Sequence, residues 1–537
     1  MKTKFVIFAL VFTFYAHAGI NDDGFINHIK KAVKSAAVLY KKLWHMDVSG
    51  FPFSSDPDNF FGHAVATGDF NNDSYDDVVI SLPGWLNNFN YGAVLVIYGS
   101  KSGLSQDKFP TMLFQNQASY EGDDYFGYSL AVGDFNGDDY DDLAVGVPFE
   151  DLGSNADAGE VDIIYGTANG LPTPASTPLV EINTGFNFQA GANFGWSLAA
   201  GDFNGDGYSE LVVSAPNENV TVNSQVILQA GVVRVYHGKP SGITDDKTGF
   251  WQGHNGVFGV PETGDRFGWS LAVGDFNRGG IFSQFFYDDL AIGTPYEDYS
   301  ATDDGIVQIF MGSLTGLSYL STLEQNNSSD EIAENNDLFG FTLTTGNLNT
   351  GGIFATNEQA PDELIIGVPF EDIATAVDAG VVHVFYGSST GITLTDNLLI
   401  SQNSPGIFGV AESNDNFGLT LTVGYFNKYP SFLPDSYGDL VIAAPGESYH
   451  ASRDGFVTIV YGSISGPDTN DSQYLFNGNA HNDTTYGLSL AVANFDNSSS
   501  LIVGIPGQTV NGNTNAGMIE EVGFELKDII FFNGFEP

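Results

Sequence analysis

The 537-residue chain contains no cysteine, so no disulfide bond can reinforce its fold. Basic side chains are also scarce: 17 lysines and arginines stand against 66 aspartates and glutamates, for a formal net charge of −49. Seven of the bases and three of the acids precede residue 51, so residues 51–537 carry 63 acids and 10 bases. This charge excludes nucleic acid as a partner of that region and favours divalent cations or basic surfaces.

Long apolar runs are missing as well. The longest candidate, residues 5–15, holds eleven residues, whereas a helix that spans a bilayer needs about 20. It follows Lys2 and Lys4 and precedes the small-x-small triplet Ala16-His17-Ala18. This order predicts an export signal over residues 1–18, with a membrane anchor as the alternative. We therefore expect a secreted or cell-surface protein without a transmembrane segment.

Glycine and aromatic residues, by contrast, are abundant, and they form a repeat. A Phe-Gly dipeptide recurs at intervals of 65 to 78 residues. After each copy come an apolar run, an Asp/Asn-rich loop, a second apolar run that ends in a small-x-Pro triplet, and a third apolar run. Short strands repeated at so long a period predict the blades of a β-propeller. The copies begin at Phe61, Phe126, Phe194, Phe267, Phe339 and Phe417, with Tyr486-Gly487 as a degenerate seventh.

We predict an all-β fold, a seven-bladed propeller over residues 51–537 with four strands in each blade. In the second repeat the strands are expected at 128–132, 142–147 and 159–165, with a weaker fourth run near 111–114 or its equivalent. Closing the ring hides most strand edges. Two segments compete to complete the last blade, residues 44–53 and residues 524–532, and the sequence leaves both open.

The segment before the propeller, residues 19–50, predicts a short amphipathic helix over 23–46. Apolar side chains recur there every three or four positions, and five lysines lie mostly off the apolar stripe. Such a helix either packs on the propeller or serves as a spacer, or it lies on a membrane surface. The first role is favoured because the acidic propeller offers the lysines a partner. The apolar positions are Phe25, Ile29, Val33, Ala36, Tyr40 and Leu43.

The Asp/Asn-rich loops of the first three repeats place oxygen-bearing side chains at positions 1, 3, 5 and 9, with a tyrosine carbonyl at position 7. Hard cations such as Ca²⁺ take this kind of ligand set. Carboxylates so close together would repel one another without an ion, and the alternative is an Asx-turn loop with solvated charges. The predicted ligands are Asp69, Asn71, Asp73, Tyr75 and Asp77; Asp134, Asn136, Asp138, Tyr140 and Asp142; and Asp202, Asn204, Asp206, Tyr208 and Glu210.

The later loops depart from this pattern. In the fourth, insertion separates Asp275 and Asn277 from Asp289, and metal binding there stays open. The fifth and sixth lack an acid at position 1, and the seventh is too short. We therefore expect about three calcium ions, all in the N-terminal half. The insertions, residues 278–286, 350–361 and 428–434, either make special contacts or fill space.

The combination of Phe-Gly, Asp-x-Asn-x-Asp and small-x-Pro resembles the FG-GAP repeats that build the seven-bladed head of integrin alpha subunits and occur in secreted bacterial proteins. The resemblance implies calcium on one face of the propeller and ligand binding on the other. It does not extend to leg domains or an inserted adhesion domain.

The expected function is that of a non-catalytic, monomeric binding or adhesion module for an extracellular protein or glycan. The alternative is an extracellular hydrolase or lyase built on a propeller. The histidines are scattered over different repeat positions, and no nucleophile elbow, zinc-binding helix or phosphate loop is present in the sequence. These features favour the binding module.

Overall fold

The structure is a computed structural model that describes 18 stretches of the chain. The predicted export signal, most of the predicted helix, nearly all of the three insertions and the C-terminal tail lie outside them. The described residues are 37–48, 51, 54–85, 90–106, 108–115, 122–172, 177–179, 189–244, 247–277, 287–327, 333–349, 361–394, 397–426, 437–448, 452–463, 465–477, 483–495 and 498–526.

Seven four-stranded antiparallel sheets form the fold, which confirms the predicted all-β, seven-bladed propeller. Blade 1 consists of β2 (Val65–Gly68), β3 (Asp77–Leu82), β4 (Ala93–Ile97) and β5 (Thr111–Leu113). Blade 2 consists of β6 (Ser129–Gly133), β7 (Asp142–Val147), β8 (Glu160–Ile164) and β9 (Thr177–Leu179). Blade 3 consists of β10 (Leu198–Gly201), β11 (Glu210–Ala215), β14 (Val232–Tyr236) and β15 (Lys247–Phe250), with the hairpin β12 (Val220–Val222) and β13 (Gln225–Ile227) inserted.

The remaining blades follow the same order. Blade 4 consists of β16 (Ser270–Gly274), β17 (Asp289–Thr294), β18 (Ile306–Met311) and β19 (Ser318–Glu324), and a 3₁₀ turn (Gln325–Asn327) follows it. Blade 5 consists of β20 (Thr342–Gly346), β21 (Glu363–Val368), β22 (Val381–Phe385) and β23 (Asn397–Ile400). Blade 6 consists of β24 (Thr420–Gly424), β25 (Asp439–Ala444), β26 (Phe456–Val460) and β27 (Ser472–Leu475). Blade 7 consists of β28 (Ser489–Phe495), β29 (Ser498–Ile505), β30 (Met518–Leu526) and β1 (Ala37–Trp44).

The second and third strands of the blades supply most of the core. In β7 all six residues are buried, because both faces of this sheet pack against neighbouring blades. Continuous apolar runs, rather than alternating ones, are therefore what the sequence needs at these positions. The first strand of each blade contacts the first strands of the two blades beside it, so the seven first strands form the inner ring.

The Phe-Gly dipeptide joins successive blades. Phe126 is fully buried and forms a β-bridge with Gly92 of the preceding blade. Gly127 has a φ of +95°, and a Cβ built on it would lie 2.9 Å from Cγ2 of Val94. Only glycine fits this left-handed conformation at so close an approach.

Both ends of the described chain meet in blade 7 and close the ring. The sheet order is β1-β30-β29-β28, so the C-terminal β30 is the third strand and the N-terminal β1 is the outermost. The hydroxyl of Ser489 donates to the carbonyl of Gly62 in blade 1 (2.8 Å). The N-terminal end therefore supplies the outer strand, but from residues 37–44, which share only Trp44 with the predicted segment 44–53. Of the competing segment 524–532, residues 524–526 lie in β30.

The predicted helix is wrong for residues 37–44, which form β1; residues 23–36 lie outside the described part. The open edge of β30 offers a full row of backbone partners, and this tertiary pairing outweighs the helical spacing of the apolar residues. Trp44 is fully buried, and its Nε1 donates to Glu521 (3.1 Å). Lys41 pairs with Glu520 (2.9 Å), so one of the lysines finds its partner on the acidic propeller as expected.

The propeller has two chemically different faces. The first strand of each blade runs from the Phe-Gly dipeptide to the Asp/Asn-rich loop, and the second strand returns to the small-x-Pro triplet. The Phe-Gly dipeptides and the proline turns therefore share one face, named here the Phe-Gly face. The Asp/Asn-rich loops lie on the opposite one, the loop face.

Candidate functional site

The three predicted calcium loops connect the first and second strands of blades 1, 2 and 3. In each, position 1 directly follows the first strand and position 9 is the first residue of the second strand. Position 9 pairs across the sheet with the last residue of the first strand, as Asp142 does with Gly133. Positions 1 to 8 therefore form the complete connection of a hairpin, and position 9 begins its second strand.

The aspartate at position 1 organises each loop by accepting backbone hydrogen bonds, and the aspartate at position 5 does so for position 7. Asp134 accepts from the N–H groups of Gly137 (2.6 Å), Asp138 (3.3 Å) and Asp139 (3.1 Å), and Asp138 accepts from Tyr140 (3.1 Å). These bonds bring positions 1 and 5 together. Corresponding contacts join Asp69 to Asp73 and Ser74, Asp73 to Tyr75, Asp202 to Gly205, Asp206 and Gly207, and Asp206 to Tyr208.

The asparagine at position 3 reaches towards a carboxylate in every loop. Asn71 donates to Asp77 (3.0 Å), Asn136 to Asp138 (3.0 Å) and Asn204 to Glu210 (2.6 Å).

The acid at position 9 has a structural role that the sequence reasoning missed. Asp142 is fully buried and accepts the N–H groups of Phe135 (2.9 Å) and Gly166 (2.8 Å), tying the loop to the end of the third strand. Burial raises the pKa of Asp142 to about 7 and that of Asp77 to about 7. It also raises the pKa of Glu210, although the neighbouring His237 opposes this effect.

The same tie recurs in blades 4, 5 and 6, where the sequence either leaves metal binding open or predicts none. There the N–H of the residue at position 2 donates to the buried acid that opens the second strand. The signal for this role was present in the sequence, since an acid begins the second strand in six repeats. The pairs are Phe276 with Asp289 (2.9 Å), Leu348 with Glu363 (2.6 Å) and Phe426 with Asp439 (2.8 Å).

An acid at position 8 links neighbouring blades across the loop face. The carboxylate of Asp141 in blade 2 accepts the N–H of Asp69 in blade 1 (2.7 Å). Asp288 accepts from Asp202 (2.8 Å), and Asp362 accepts from Asp275 (3.1 Å). Several acids of the loops thus hold the ring together, so not every carboxylate of the pattern is free to serve as a ligand.

The donor chemistry of the loops still fits a hard divalent cation through positions 1, 3 and 5. The Oδ1 atom of Asn136 is buried and accepts no hydrogen bond, which makes it available as a ligand. Among the described residues, however, the one group of three acidic side chains whose oxygens lie within 4.8 Å of one another is elsewhere, on the Phe-Gly face, at Glu412, Asp415 and Glu447. In the fourth loop, the N–H of Asp275 donates to Asp362, and the carboxylate of Asp289 accepts the N–H of Phe276.

A series of rings stands on the Phe-Gly face, one from each of blades 1 to 5, at the position directly after Phe-Gly. The residues are partly exposed, and neighbouring ring centroids lie 4.9 to 5.5 Å apart. Sequence reasoning missed this feature, although the triplets Phe-Gly-aromatic repeat. We call it the aromatic arc: His63, Tyr128, Trp196, Trp269 and Phe341.

A second set of side chains surrounds the arc from the proline turns. Phe149 contacts Tyr128 (5.6 Å between centroids) and Trp196 (6.3 Å), and Tyr296 contacts Trp269 (5.4 Å). The guanidinium of Arg266 lies 4.6 Å from the Tyr296 centroid and adds a positive group at the rim. The Phe-Gly face thus presents a partly exposed aromatic surface on a rigid ring.

Comparison with known proteins agrees with this architecture. The FG-GAP repeat family matches residues 61–97, 126–164 and 194–236, which lie in blades 1, 2 and 3. The repeats are FG-GAP repeats, and the propeller is integrin-alpha-like. Integrin alpha-PS2 of Drosophila melanogaster is 30% identical over 257 residues, covering 46% of this chain and 16% of that protein.

Two further proteins are similar to this chain, one named as an integrin and one as a phospholipase. Integrin alpha-V of Gallus gallus is 30% identical over 242 residues, 44% of this chain and 20% of that protein. Phosphatidylinositol-glycan-specific phospholipase D of Rattus norvegicus is 35% identical over 162 residues, 29% of this chain and 18% of that protein. The chain thus spans a fifth or less of the length of each of these relatives.

Proposed function

We propose that this chain is a secreted, calcium-binding, non-catalytic module that recognises an extracellular protein or glycan through its Phe-Gly face. The observation that carries the proposal is the aromatic arc. Its place on an integrin-alpha-like propeller supports the assignment. Among the described residues no helix has the length and apolar character to cross a membrane.

The arc suits recognition because tyrosine and tryptophan offer large contact areas with few rotatable bonds. Trp196 lies between Tyr128 (5.0 Å) and Trp269 (4.9 Å), so each ring is held by its neighbours. Little side-chain entropy is then lost when a sugar ring or an apolar side chain docks on them. Such a surface binds a ligand by contact between ring faces and apolar groups.

The test is a glycan- and protein-array screen of the exported chain, repeated with Trp196→Ala and Trp269→Ala. Removing an aromatic anchor at the centre of an interface costs about 2 kcal/mol or more, so each variant should bind its ligand about 30-fold more weakly. Trp251→Ala is the matched control, because Trp251 stacks on His254 after the outermost strand of blade 3 and lies outside the arc. Equal binding by the wild type and both arc variants would refute the role of the arc.

Calcium is proposed to stabilise the loops of blades 1, 2 and 3 rather than to contact ligand, since these loops lie on the opposite face. Extracellular calcium sites bind at roughly 10⁻⁴ to 10⁻³ M, so millimolar calcium should add about 1 kcal/mol per site. A chelator should therefore lower the melting temperature, and Asp138→Ala should abolish part of that difference. An unchanged melting curve in chelator would contradict calcium binding at the loops.

An enzyme is the second candidate, and the relative named as a phospholipase D is what favours it. Against it, His383 is fully buried, so its ring cannot reach a substrate. Turnover of glycosylphosphatidylinositol or polysaccharide substrates by the purified chain would support the enzyme and contradict the binding module.

A further inference from the structure

A tyrosine stands at the loop-face end of the third strand in blades 1, 2, 5 and 6. In each blade it directly follows the residue that pairs with the second residue of the second strand, so the four positions are equivalent. Its ring reaches a glycine turn of the next blade: a Cβ built on Gly170 would lie 2.1 Å from Oη of Tyr98, and one built on Gly242 would lie 2.0 Å from Oη of Tyr165. The tyrosine thus fills the seam between two blades. The four residues are Tyr98, Tyr165, Tyr386 and Tyr461.

Blade 7 has a glycine at the equivalent position, and a tyrosine of β1 fills the space above it. Gly523 directly follows Val522, and it pairs with Tyr40 across the sheet. A Cβ built on Gly523 would lie 2.0 Å from Cε1 and Cζ of Tyr40, and its three nearest atoms all belong to Tyr40. The hydroxyl of Tyr40 lies 3.4 Å from a Cβ built on Gly103, in the glycine turn of blade 1. The strand β1 therefore supplies to blade 7 the ring that four other blades carry on their own third strand.

Polar contacts of β1 cross the same seam. The hydroxyl of Tyr40 donates to Glu521 (3.4 Å), and so does Nε1 of Trp44 (3.1 Å). Nζ of Lys42 donates to the carbonyl of Leu104 in blade 1 (3.0 Å) and lies 3.9 Å from the centroid of the Trp44 ring. The N–H of Leu104 in turn donates to Glu521 (3.4 Å). The strand is thus bound to the last blade and to the first blade at once.

These contacts fix the register of β1. Tyr40, Lys42 and Trp44 are two residues apart, so they share the face of the strand that meets blade 1. Lys41 lies on the other face, where its Nζ donates to the carbonyl of Phe476 in blade 6 (3.1 Å). A shift of one residue would turn every side chain to the wrong face. A shift of two would bring a lysine or a valine, rather than a ring, to the glycine of β30.

We propose that β1 is a closing strap of the ring, and that blade 7 recognises it by insertion of the Tyr40 ring into the notch at Gly523. Blade 7 takes both its outer strand and its seam tyrosine from β1, so the seam between blades 7 and 1 closes only when the strap is in place. In the other six blades the outer strand follows the third strand in the chain, so those seams need no distant segment. Release of the strap leaves β30 as an unpaired edge and opens the ring at this one seam.

The test is amide hydrogen exchange of the full chain, measured by mass spectrometry in peptides that contain β1 and β30. Tyr40→Ala empties the notch and Gly523→Tyr blocks it, so each should speed exchange in both strands about tenfold or more. The double variant, Tyr40→Ala with Gly523→Tyr, puts one ring back into the seam on the third strand, as in blade 2. Its exchange should return to within about threefold of the wild type. A double variant that exchanges as fast as Tyr40→Ala would overturn the proposal.

Gly523→Ala is the mildest variant and keeps the test decisive if the larger changes prevent folding. It adds only the Cβ that would meet the Tyr40 ring, whereas alanine in a strand is otherwise at least as stable as glycine. Exchange of β1 should therefore be faster than in the wild type while the other blades stay protected. Wild-type exchange of β1 in Gly523→Ala would contradict the insertion of the ring.

Two controls separate recognition of the ring from other effects. Tyr40→Phe keeps the ring and loses only the hydroxyl bond to Glu521, so β1 should exchange as in the wild type; exchange as fast as in Tyr40→Ala would contradict the ring as the recognised group. Tyr386→Ala removes the equivalent ring from blade 5 and should leave exchange in β1 and β30 unchanged. An equal increase at β1 in Tyr386→Ala would show a general loss of stability and overturn the strap.

Discussion

Blades 3 and 4 make the same turn after their prolines but bury different partners beneath it. In blade 3, Glu218 meets Arg234, which is 1% exposed. In blade 4, Glu297 has no such guanidinium; it lies near Asp265, whose pKa is raised to about 8 by burial and by the charges of Glu297 and other acids. Blade 3 pairs its buried glutamate with a guanidinium, whereas in blade 4 the raised pKa of Asp265 lets that aspartate hold a proton at neutral pH. The backbone conformation of the turn is thus the same in both blades, while the group that neutralises the buried acid differs.

Blades 1 and 7 have no acidic side chain at this turn, so no buried charge has to be neutralised. Blade 7 carries Gln508 at the position two residues after its proline, and Asn477 donates to it (2.7 Å). A neutral amide pair thus replaces a glutamine–glutamate pair such as Gln252 and Glu297 of blade 4 (2.6 Å). Blade 1 carries Trp85 there. Blades 1, 3, 4 and 7 therefore differ in how strongly the stability of this turn depends on a charged group, and single substitutions can measure that difference.

The largest effect is expected from Arg234→Met. Removal of one partner of a buried, bidentate ion pair leaves Glu218 without a cation in an apolar site and should cost about 3–5 kcal/mol of unfolding free energy. Urea denaturation followed by tryptophan fluorescence measures it. The double variant Arg234→Met with Glu218→Gln should recover most of the loss, because no buried charge remains. Equal stability of the single and double variants would mean that the pair is not the reason for the loss.

Much of the fold could be predicted because its signals are local and repeated. Phe126-Gly127 and its copies mark every blade, and the first three strands of blade 2 lie within one residue of the predicted bounds. The fourth prediction is wrong for this blade: the run near 111–114 is the outer strand β5 of blade 1, and blade 2 is completed by β9, because each outer strand follows its blade's third strand in the chain. The strand β1 could not be predicted, because the edge that it covers belongs to β30, nearly 480 residues away in the sequence. The spacing of Tyr40 and Leu43 is compatible with a helix until that edge is known.

The sites divide in the same way. The Asp-x-Asn-x-Asp pattern located the turns on the loop face, but it gave the acids one role where the structure gives them several. Asp142 secures backbone N–H groups, and Asp141 joins two blades. The hydrogen bond from Gln402 to Glu447 joins two neighbouring blades and residues that are 45 positions apart, so no local sequence pattern predicts it. The ring-bearing residue after Phe-Gly recurs in the sequence, but only the structure shows that the five positions of the aromatic arc lie together on one face.

A smaller effect is expected from Gln508→Glu, which gives blade 7 the acid of blade 4 without the aspartate beside it, because Thr484 stands at the position of Asp265. Gln508 is 3% exposed, so the new carboxylate would be desolvated, and it would lose the hydrogen bond that Gln508 donates to the Thr509 carbonyl (3.1 Å). We expect a loss of about 1–3 kcal/mol at pH 8 and less at pH 5, where the new acid can take up a proton. Thermal melting at both pH values measures it. The Gln508→Met variant controls for the lost hydrogen bond, since its loss of stability relative to the wild type should be the same at both pH values.

The smallest effect at pH 5 is expected from Asp265→Asn, and the information in this variant lies in how its stability changes with pH. The folded-state pKa of Asp265, about 8, is above the unfolded value near 3.8, so the folded protein holds a proton that the unfolded chain has released. The stability due to this group is full below about pH 4 and is lost as the pH rises towards 8. Asparagine keeps an acceptor for the N–H of Glu262 and does not ionise, so the variant should lose up to about 1.4 kcal/mol per pH unit less than the wild type between pH 5 and 8. Melting temperatures measured in chelator across that range give the two slopes. Parallel slopes would mean that blade 4 does not use a proton where blade 3 uses a guanidinium, and that the resemblance of the two turns ends at the backbone.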